Sequence, residues 1–356
     1  MMKLLLLNLL MIHSCLTLYG QNKFIIAGTG KQGYSGDSGL ATKALLNHPE
    51  TIAIDKKGNI YFAESLNNCV RKIDKKGIIT TIAGTGIEGY NGDSIQATKA
   101  MLNNPIGVAV DNNGNVYIAD TRNERIRKVD INGIIYTIAG TGNEEYERSF
   151  DYKKFQGNKL AKVCTIGAPF GVTIDKKGDV FIADASENCI RKIDKDGYLS
   201  NLGLNNMPMP SCIFFNNENI MYVVQNNDIR RMLADSFQIV AGIFRTYGYE
   251  GDDGLATNAS SNLPMTAVMD NKENIYIPDG LNHCVRVINK KGIIYTIMGI
   301  KIDKLYNLNS AMKSIQKLGQ PHGIAVDNKG YLYVADTYNN RIIKIKIKRY
   351  LRKLKS

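Results

Sequence analysis

The stretch NPIGVAVDNNGNVYIADTRNERIRKVDINGIIYTIAGTG, residues 104–142, recurs in recognisable form along the whole chain, and no other feature limits the possible folds so strongly. Within it GVAVD, NVYIAD, RIRKVD and IIYTIAG are four short β-branched runs divided by Asn, Asp and Gly turn signals, the pattern of a four-stranded antiparallel meander. A unit this small cannot bury both of its faces, so the copies have to stack on one another. Aligned on the proline before the first strand, six copies begin at Pro49, Pro105, Pro169, Pro210, Pro264 and Pro321. Their second strands read NIYFAE, NVYIAD, DVFIAD, IMYVVQ, NIYIPD and YLYVAD, the fourth departing most. A fourth strand follows only the first five copies, while an orphan of the same pattern, FIIAGTG, stands near the N-terminus at residues 24–30. The chain is therefore expected to be an all-β, six-bladed propeller of four-stranded antiparallel blades, with the N-terminal strand closing the last blade and removing its open edge.

These motifs carry a family resemblance. PxGVAVDxxGNxYIADxxNxRIRKVD followed by IxTIAGTG resembles the NHL repeat, and the segment GYSGDSGLATKALLNHP resembles the spacer of bacterial and teneurin-type NHL proteins. The resemblance implies a propeller, and it implies less about function, because NHL propellers serve as adhesion, RNA-binding and enzymatic scaffolds. Two regions depart from the pattern, the copy beginning at Pro210 and the stretch 143–168.

Charge and cysteine placement narrow the function classes. The first twenty residues, MMKLLLLNLLMIHSCLTLYG, place one early charge before an apolar run too short for a membrane span, which reads as a secretory signal, residues 1–20, ahead of a propeller over residues 21–347. The alternative is a lipoprotein-type cleavage before Cys15. The formal charge of +12 is concentrated at the end: residues 341–356 hold eight basic and no acidic side chains, leaving a nearly balanced body and a basic tail, residues 348–356. Such a tail reads as a solvated end that could adhere weakly to anionic surfaces. Cys69, Cys189 and Cys284 occupy equivalent places in three repeats and so belong to separate blades, too far apart to pair. Cys164 and Cys212 are the one mature pair left to consider for a bridge.

Blade topology puts the loops between second and third strands on the same face as the inter-blade spacers, and that face is the expected binding surface. Within the spacers, Tyr34 with Asp37, Tyr90 with Asp93 and Tyr249 with Asp252 repeat. The aspartates could bind calcium or cap the following ATKALL-like turn, and the tyrosines could meet a partner or pack the loop down. The residue after each proline, in order Glu50, Ile106, Phe170, Ser211, Met265 and His322, is expected near the mouth of the central channel. The resemblance to amidating lyases, which place zinc-binding histidines after such prolines, extends only to His322, and one histidine does not make a three-ligand zinc site. A lactonase-like site needs several carboxylates or amides there, and Glu50 is the sole acid. Closure of the ring would bring Glu50, His322 and His48 to one seam, as a hydrogen-bonded lock or as a speculative metal or acid/base site. His283 reads as plain surface.

Arg71, Arg127, Arg191, Arg230 and Arg286 recur on third strands opposite the acids that end most second strands, which reads as structural ion pairing and not as a nucleic-acid stripe. No GxSxG, HExxH or GxxxxGK[ST] is present. The expected function is that of an exported, non-catalytic, monomeric interaction module, with no cofactor and no nucleic acid, whose loop face takes a protein, peptide or glycan. The competing readings are a metal-dependent lyase or lactonase-like enzyme at the channel mouth and a single-stranded RNA binder.

Overall fold

The computed structural model describes residues 23–142, 159–202, 207–233, 236–299 and 318–347. The signal segment with Cys15, the basic tail and most of the departing stretch after Gly142 lie outside the described residues. What is described is a ring of six antiparallel sheets, one per repeat. Blade 1 uses Pro49–Ile54, Ile60–Glu64, Cys69–Ile73 and Ile79–Ala83, and blade 2 uses Pro105–Val110, Val116–Asp120, Arg125–Val129 and Ile134–Ala139. Blade 3 runs from Pro169–Ile174 to Tyr198–Asn201, and blade 4 from Pro210–Phe215 through Met221–Gln225 and Asp228–Met232 to Phe237–Ala241. Blade 5 has a shortened inner strand, Val268–Met269, and ends at Ile294–Gly299. In blade 6 the order is Gly323–Val326, Tyr331–Asp336, Arg341–Lys346 and then Lys23–Ala27, so the N-terminal strand is the outermost strand of the last blade. Phe24 pairs with Lys344 and Ile25 with Ile343, which is the predicted clasp.

Six buried apolar clusters hold the ring, each shared by two adjacent blades; one joins Ile342 and Tyr333 of blade 6 to Phe62 and Ile79 of blade 1. Second strands such as Ile60–Glu64 are buried at every residue because both faces of the blade meet a neighbour. The recurrent IAG at the end of the fourth strand has a steric cause. Gly84 lies at φ +95, and a Cβ there would overlap the carbonyl of Asn68 in the second-to-third turn. A second glycine position keeps the inner strands close: a Cβ on Gly107 would stand 2.6 Å from the Phe170 carbonyl of the next blade.

The two faces of the ring are stitched differently. On one face, Asp55, Asp111, Asp270 and Asp327 accept backbone N–H groups of the first hairpin turn, and the phenols of Tyr61, Tyr117, Tyr276 and Tyr333 donate to the same carboxylates. On the other face, the acid ending the second strand accepts an N–H from the segment that enters the same blade: Asn47 to Glu64, Asn103 to Asp120, Gly167 to Asp184, Asn262 to Asp279 and Gly319 to Asp336. The spacers differ from expectation. They start on the loop face but then run along the outer rim of the following blade, where Ile95 and Gln96 pair antiparallel with Ile135 and Ile134, and Lys159 and Leu160 with Leu199 and Tyr198. Ser38 N–H donates to Ile79 O and Ile79 N–H donates to Gly39 O in the same way. The spacer is thus a short fifth strand that covers an otherwise open edge.

Candidate functional site

The recurrent arginines are the centres of buried clamps. In blade 2, Arg127 donates to Asp120 Oδ2 at 3.3 Å, to the Gly92 carbonyl at 2.9 Å and to Asp93 Oδ1 at 3.0 Å, and its side chain is 0% exposed. Arg71 repeats this with Glu64 and Asp37, and Arg286 with Asp279 and Asp252. Tyr34, Tyr90 and Tyr249 lie over the guanidinium groups at 5.5, 4.8 and 5.3 Å. Each spacer therefore supplies a carboxylate and a ring to a buried cation already paired inside the blade, the spacer carboxylate itself staying partly open to solvent at Asp37 and Asp93. Asp37, Asp93 and Asp252 are not turn caps: the turns Ala41–Lys43, Ala97–Lys99 and Ala256–Asn258 begin without a side-chain cap, because the carboxylates are turned toward arginine. Burial pushes the Glu64 carboxyl up to about 7 and those of Asp120 and Asp279 up to about 6, with the arginines and the N–H donors pulling the other way.

In blade 4 the pairing changes. Gln225 replaces the acid, and Arg230 instead pairs with Asp228 at 3.0 Å. In blade 3, Arg191 pairs with Asp184 at 2.7 Å as expected.

Two residues of the channel-mouth row, Glu50 and His322, meet at the seam between blades 1 and 6. His322 Nδ1 lies 2.8 Å from Glu50 Oε2, and Ser65 Oγ donates to Glu50 Oε1 at 2.9 Å. Tyr338 lies beside both histidines, with ring centroids 4.5 Å from His48 and 5.9 Å from His322. Burial, followed by the charge of nearby Glu50 acting in the opposite direction, leaves His48 with a pKa below the ordinary imidazole range. A carboxylate at Nδ1 requires the N–H there; the other ring nitrogen, Nε2 of His322, is buried with no hydrogen-bond partner. Among the described residues, no three His, Cys, Asp or Glu side chains are grouped so as to hold a metal ion. Below the mouth, the channel is a cavity of about 240 Å³ lined by inner-strand residues such as Thr51, Gly107, Gly171, Cys212 and Thr266. Thr51 donates to the Ile106 carbonyl and Thr266 to that of His322, so the polar side chains of the wall serve to tie blades together.

Three expectations need amendment or extension. Cys164 and Cys212 are both free: the first donates to Leu160 O within the blade 3 spacer and the second to Ala267 O of blade 5. His283 is half-buried and not plain surface; its Nδ1 lies 3.0 Å from the Leu318 carbonyl and 3.3 Å from the Gln320 nitrogen, its tautomer setting which of the two it bonds, at the entry to blade 6. Tyr338 and Ser65 join the seam without having been singled out, although TYNN and SLNN in the second-to-third turns mark them as the non-identical residues of otherwise repeated loops.

Comparison with known proteins agrees with this architecture. The family model for the teneurin NHL domain matches residues 18–88 and 86–154, and that for the NHL repeat matches residues 318–345. Teneurin-3 of Danio rerio is 28% identical over 283 residues, covering 75% of this chain and 9% of the teneurin, so the chain spans under a tenth of that curated relative. Among solved structures, an auxiliary nutrient binding protein from Bacteroides thetaiotaomicron superposes with a TM-score of 0.66 at 15% identity, over 91% of this chain and 75% of the other. Virginiamycin B lyase from Staphylococcus aureus superposes with a TM-score of 0.52 at 17% identity, over 84% of this chain and 95% of the lyase. At these identities the structural likeness concerns the fold. Repeat motif, blade count, clasp and family matches are together consistent with the NHL-repeat β-propeller family.

Proposed function

We propose that the protein is an exported, non-catalytic interaction module that binds a protein, peptide or glycan through its loop face. The observation that carries this reading is an asymmetry of exposed apolar side chains. The loop face presents Leu66, Leu281 and Tyr338 at the tips of second-to-third turns, with Ile87 and Tyr247 in the adjoining spacers; Ile87 is 59% exposed and Tyr247 62%. The opposite face is built mainly of DKKG, DNNG and DKDG turns, with Ile131 and Leu233 as its isolated apolar tips. Apolar and aromatic tips on a rigid ring supply contact area at small entropic cost, as recognition surfaces do. An N-terminal signal segment on residues 1–20 and a weakly adhesive basic tail on residues 348–356 complete the reading. The teneurin and nutrient-binding relatives are in keeping with a surface-exposed binding role.

A second reading is favoured by one observation, the Glu50–His322 pair with its unpartnered Nε2, which is the arrangement of an acid/base group at a channel mouth. One experiment separates the two. Affinity capture from the exported fraction is run with the wild type, with a Leu66→Ser/Ile87→Ser/Leu281→Ser variant and with His322→Gln. Loss of the captured partner in the loop variant alone is the expected result. Retention there, with loss in His322→Gln, would transfer the function to the mouth.

A further inference from the structure

Among the described residues, the outer strand of blade 4 has nothing over its edge, unlike those of blades 1, 2, 3 and 5. In blades 1, 2, 3 and 5 the outermost strand is covered by spacer residues, with Leu40 opposite Ile78, Ile95 opposite Ile135, Leu160 opposite Tyr198 and Leu255 opposite Ile293, all antiparallel. Only residues 202–209 join blade 3 to blade 4, where residues 28–48 and 84–104 make the equivalent connections. A link that short cannot descend the rim and return. Among the described residues, no segment pairs with the free side of Phe237–Ala241.

Register shows what the missing cover would touch. Arg230 stands opposite Ile239 as Arg127 stands opposite Thr137, so Ile239 occupies the place of Thr137 and Phe237 that of Ile135. In blade 2, Asp93 of the spacer accepts the Thr137 N–H at 2.9 Å as well as the Arg127 guanidinium. The equivalent N–H in blade 4 belongs to Ile239, whose side chain is 39% exposed. Ile135, by contrast, is wholly buried beneath its spacer, whereas Phe237 is half-buried. The cation is present too. Arg230 is 18% exposed where Arg127 is sealed, and Phe244 lies over it at 5.3 Å, in the place that Tyr90 takes over Arg127. Arg245 stacks on the same ring at 5.0 Å. A sheet edge, an outward N–H and two guanidinium groups about one aromatic ring remain where four other blades hold a spacer.

We propose that this edge is a docking site for an extended peptide carrying an aspartate, which adds to blade 4 as an antiparallel fifth strand and places that carboxylate against the Ile239 N–H and Arg230. The occupant's chemistry is fixed by the chain's own spacers, which solve the same binding problem in blades 1, 2 and 5 with an aspartate followed by a short extended run. The site lies on the outer rim and is independent of the loop-face reading.

The test uses a fluorescein-labelled peptide of residues 89–100, GYNGDSIQATKA, titrated by anisotropy against the full chain. Saturable binding is expected. It should weaken about tenfold when the peptide's Asp93 is changed to Asn, the order of loss for a hydrogen bond to a charged group. It should weaken similarly in Ile239→Pro, which removes the outward N–H while leaving the inward ladder of Gln238 and Val240. Should Ile239→Pro lose its fold by circular dichroism, Ile239→Asp sets a like charge against the peptide at the same exposed position. Loop-face variants should bind the peptide as the wild type does. Absence of binding, or equal binding by wild type and edge variants, overturns the proposal. So does a wild-type dimer in sedimentation that Ile239→Pro dissociates and the peptide does not displace, since the occupant would then be a second copy.

Discussion

Blades 2 and 4 follow one four-strand plan, yet blade 2 is closed on every side and blade 4 is not. In blade 2 a long spacer delivers Asp93 and Tyr90 to Arg127 and lays Ile95 and Gln96 along the outer strand. In blade 4 the short connection delivers neither; the arginine turns to Asp228 on its own strand, and Gln225 is buried with both polar atoms unpartnered. Edge cover and charge burial therefore arrive together, from the same segment. A blade without it keeps its strands through the ladder and the apolar contacts of Met207, Ile213 and Val223 with blade 3.

The largest effect should come from opening an edge completely. Removing residues 23–27 leaves blade 6 with three strands and breaks the ring, and Tm should fall by roughly 10 °C or more, in line with a loss of several kcal/mol. A truncated protein that melted with the parent would mean that the clasp contributes no more than the missing cover of blade 4 does. Next, Arg127→Met leaves Asp120 and Asp93 without their cation and should cost about 3–5 kcal/mol, as for a broken buried pair. Arg230→Met also leaves a buried carboxylate, Asp228, without its cation, but one acid in place of two, and should cost less, about 2–3 kcal/mol. Urea unfolding of the two variants measures the difference, and equal losses would dissolve the distinction between the blades.

The smallest effect concerns the opposite face. Burial, then Asp55 and Asp111, push the phenols of Tyr61 and Tyr117 up to about 12, and Tyr276 and Tyr333 are raised in the same way. The unfolded chain releases these protons near pH 10 while the native state retains them. Their contribution is thus intact below about pH 10 and is lost as pH rises toward 12. Blade 4 has Asn216 at the equivalent turn, and its Tyr222 is stacked on Phe214. Thermal melts between pH 9 and 12 should show falling Tm, flattened in a Tyr61→Phe/Tyr117→Phe variant.

Much of this was legible beforehand. Period-two runs and Asn, Asp and Gly turns located the strands; counting fourth strands located the clasp; and the spacing of Asp120 and Arg127 implied their ion pair. The seam of Glu50 and His322 followed from closure alone. The role of Asp37, Asp93 and Asp252 did not, because an aspartate before a short turn is also the signature of a cap, and only the path of the spacer along the rim distinguishes the two. His283 was misread for a similar reason: its partners, Leu318 O and Gln320 N–H, lie a whole connection away in the chain.

The sequence by itself determined the blade, its repetition and its closure, since these depend on alternation, turn chemistry and strand number, all of which are local or countable. Tertiary structure decided which carboxylates reach which arginines, which edges are covered and where a histidine keeps a free nitrogen. Those outcomes depend on how connections of different length cross the rim of a closed ring, and short-range patterns carry no information about that distance.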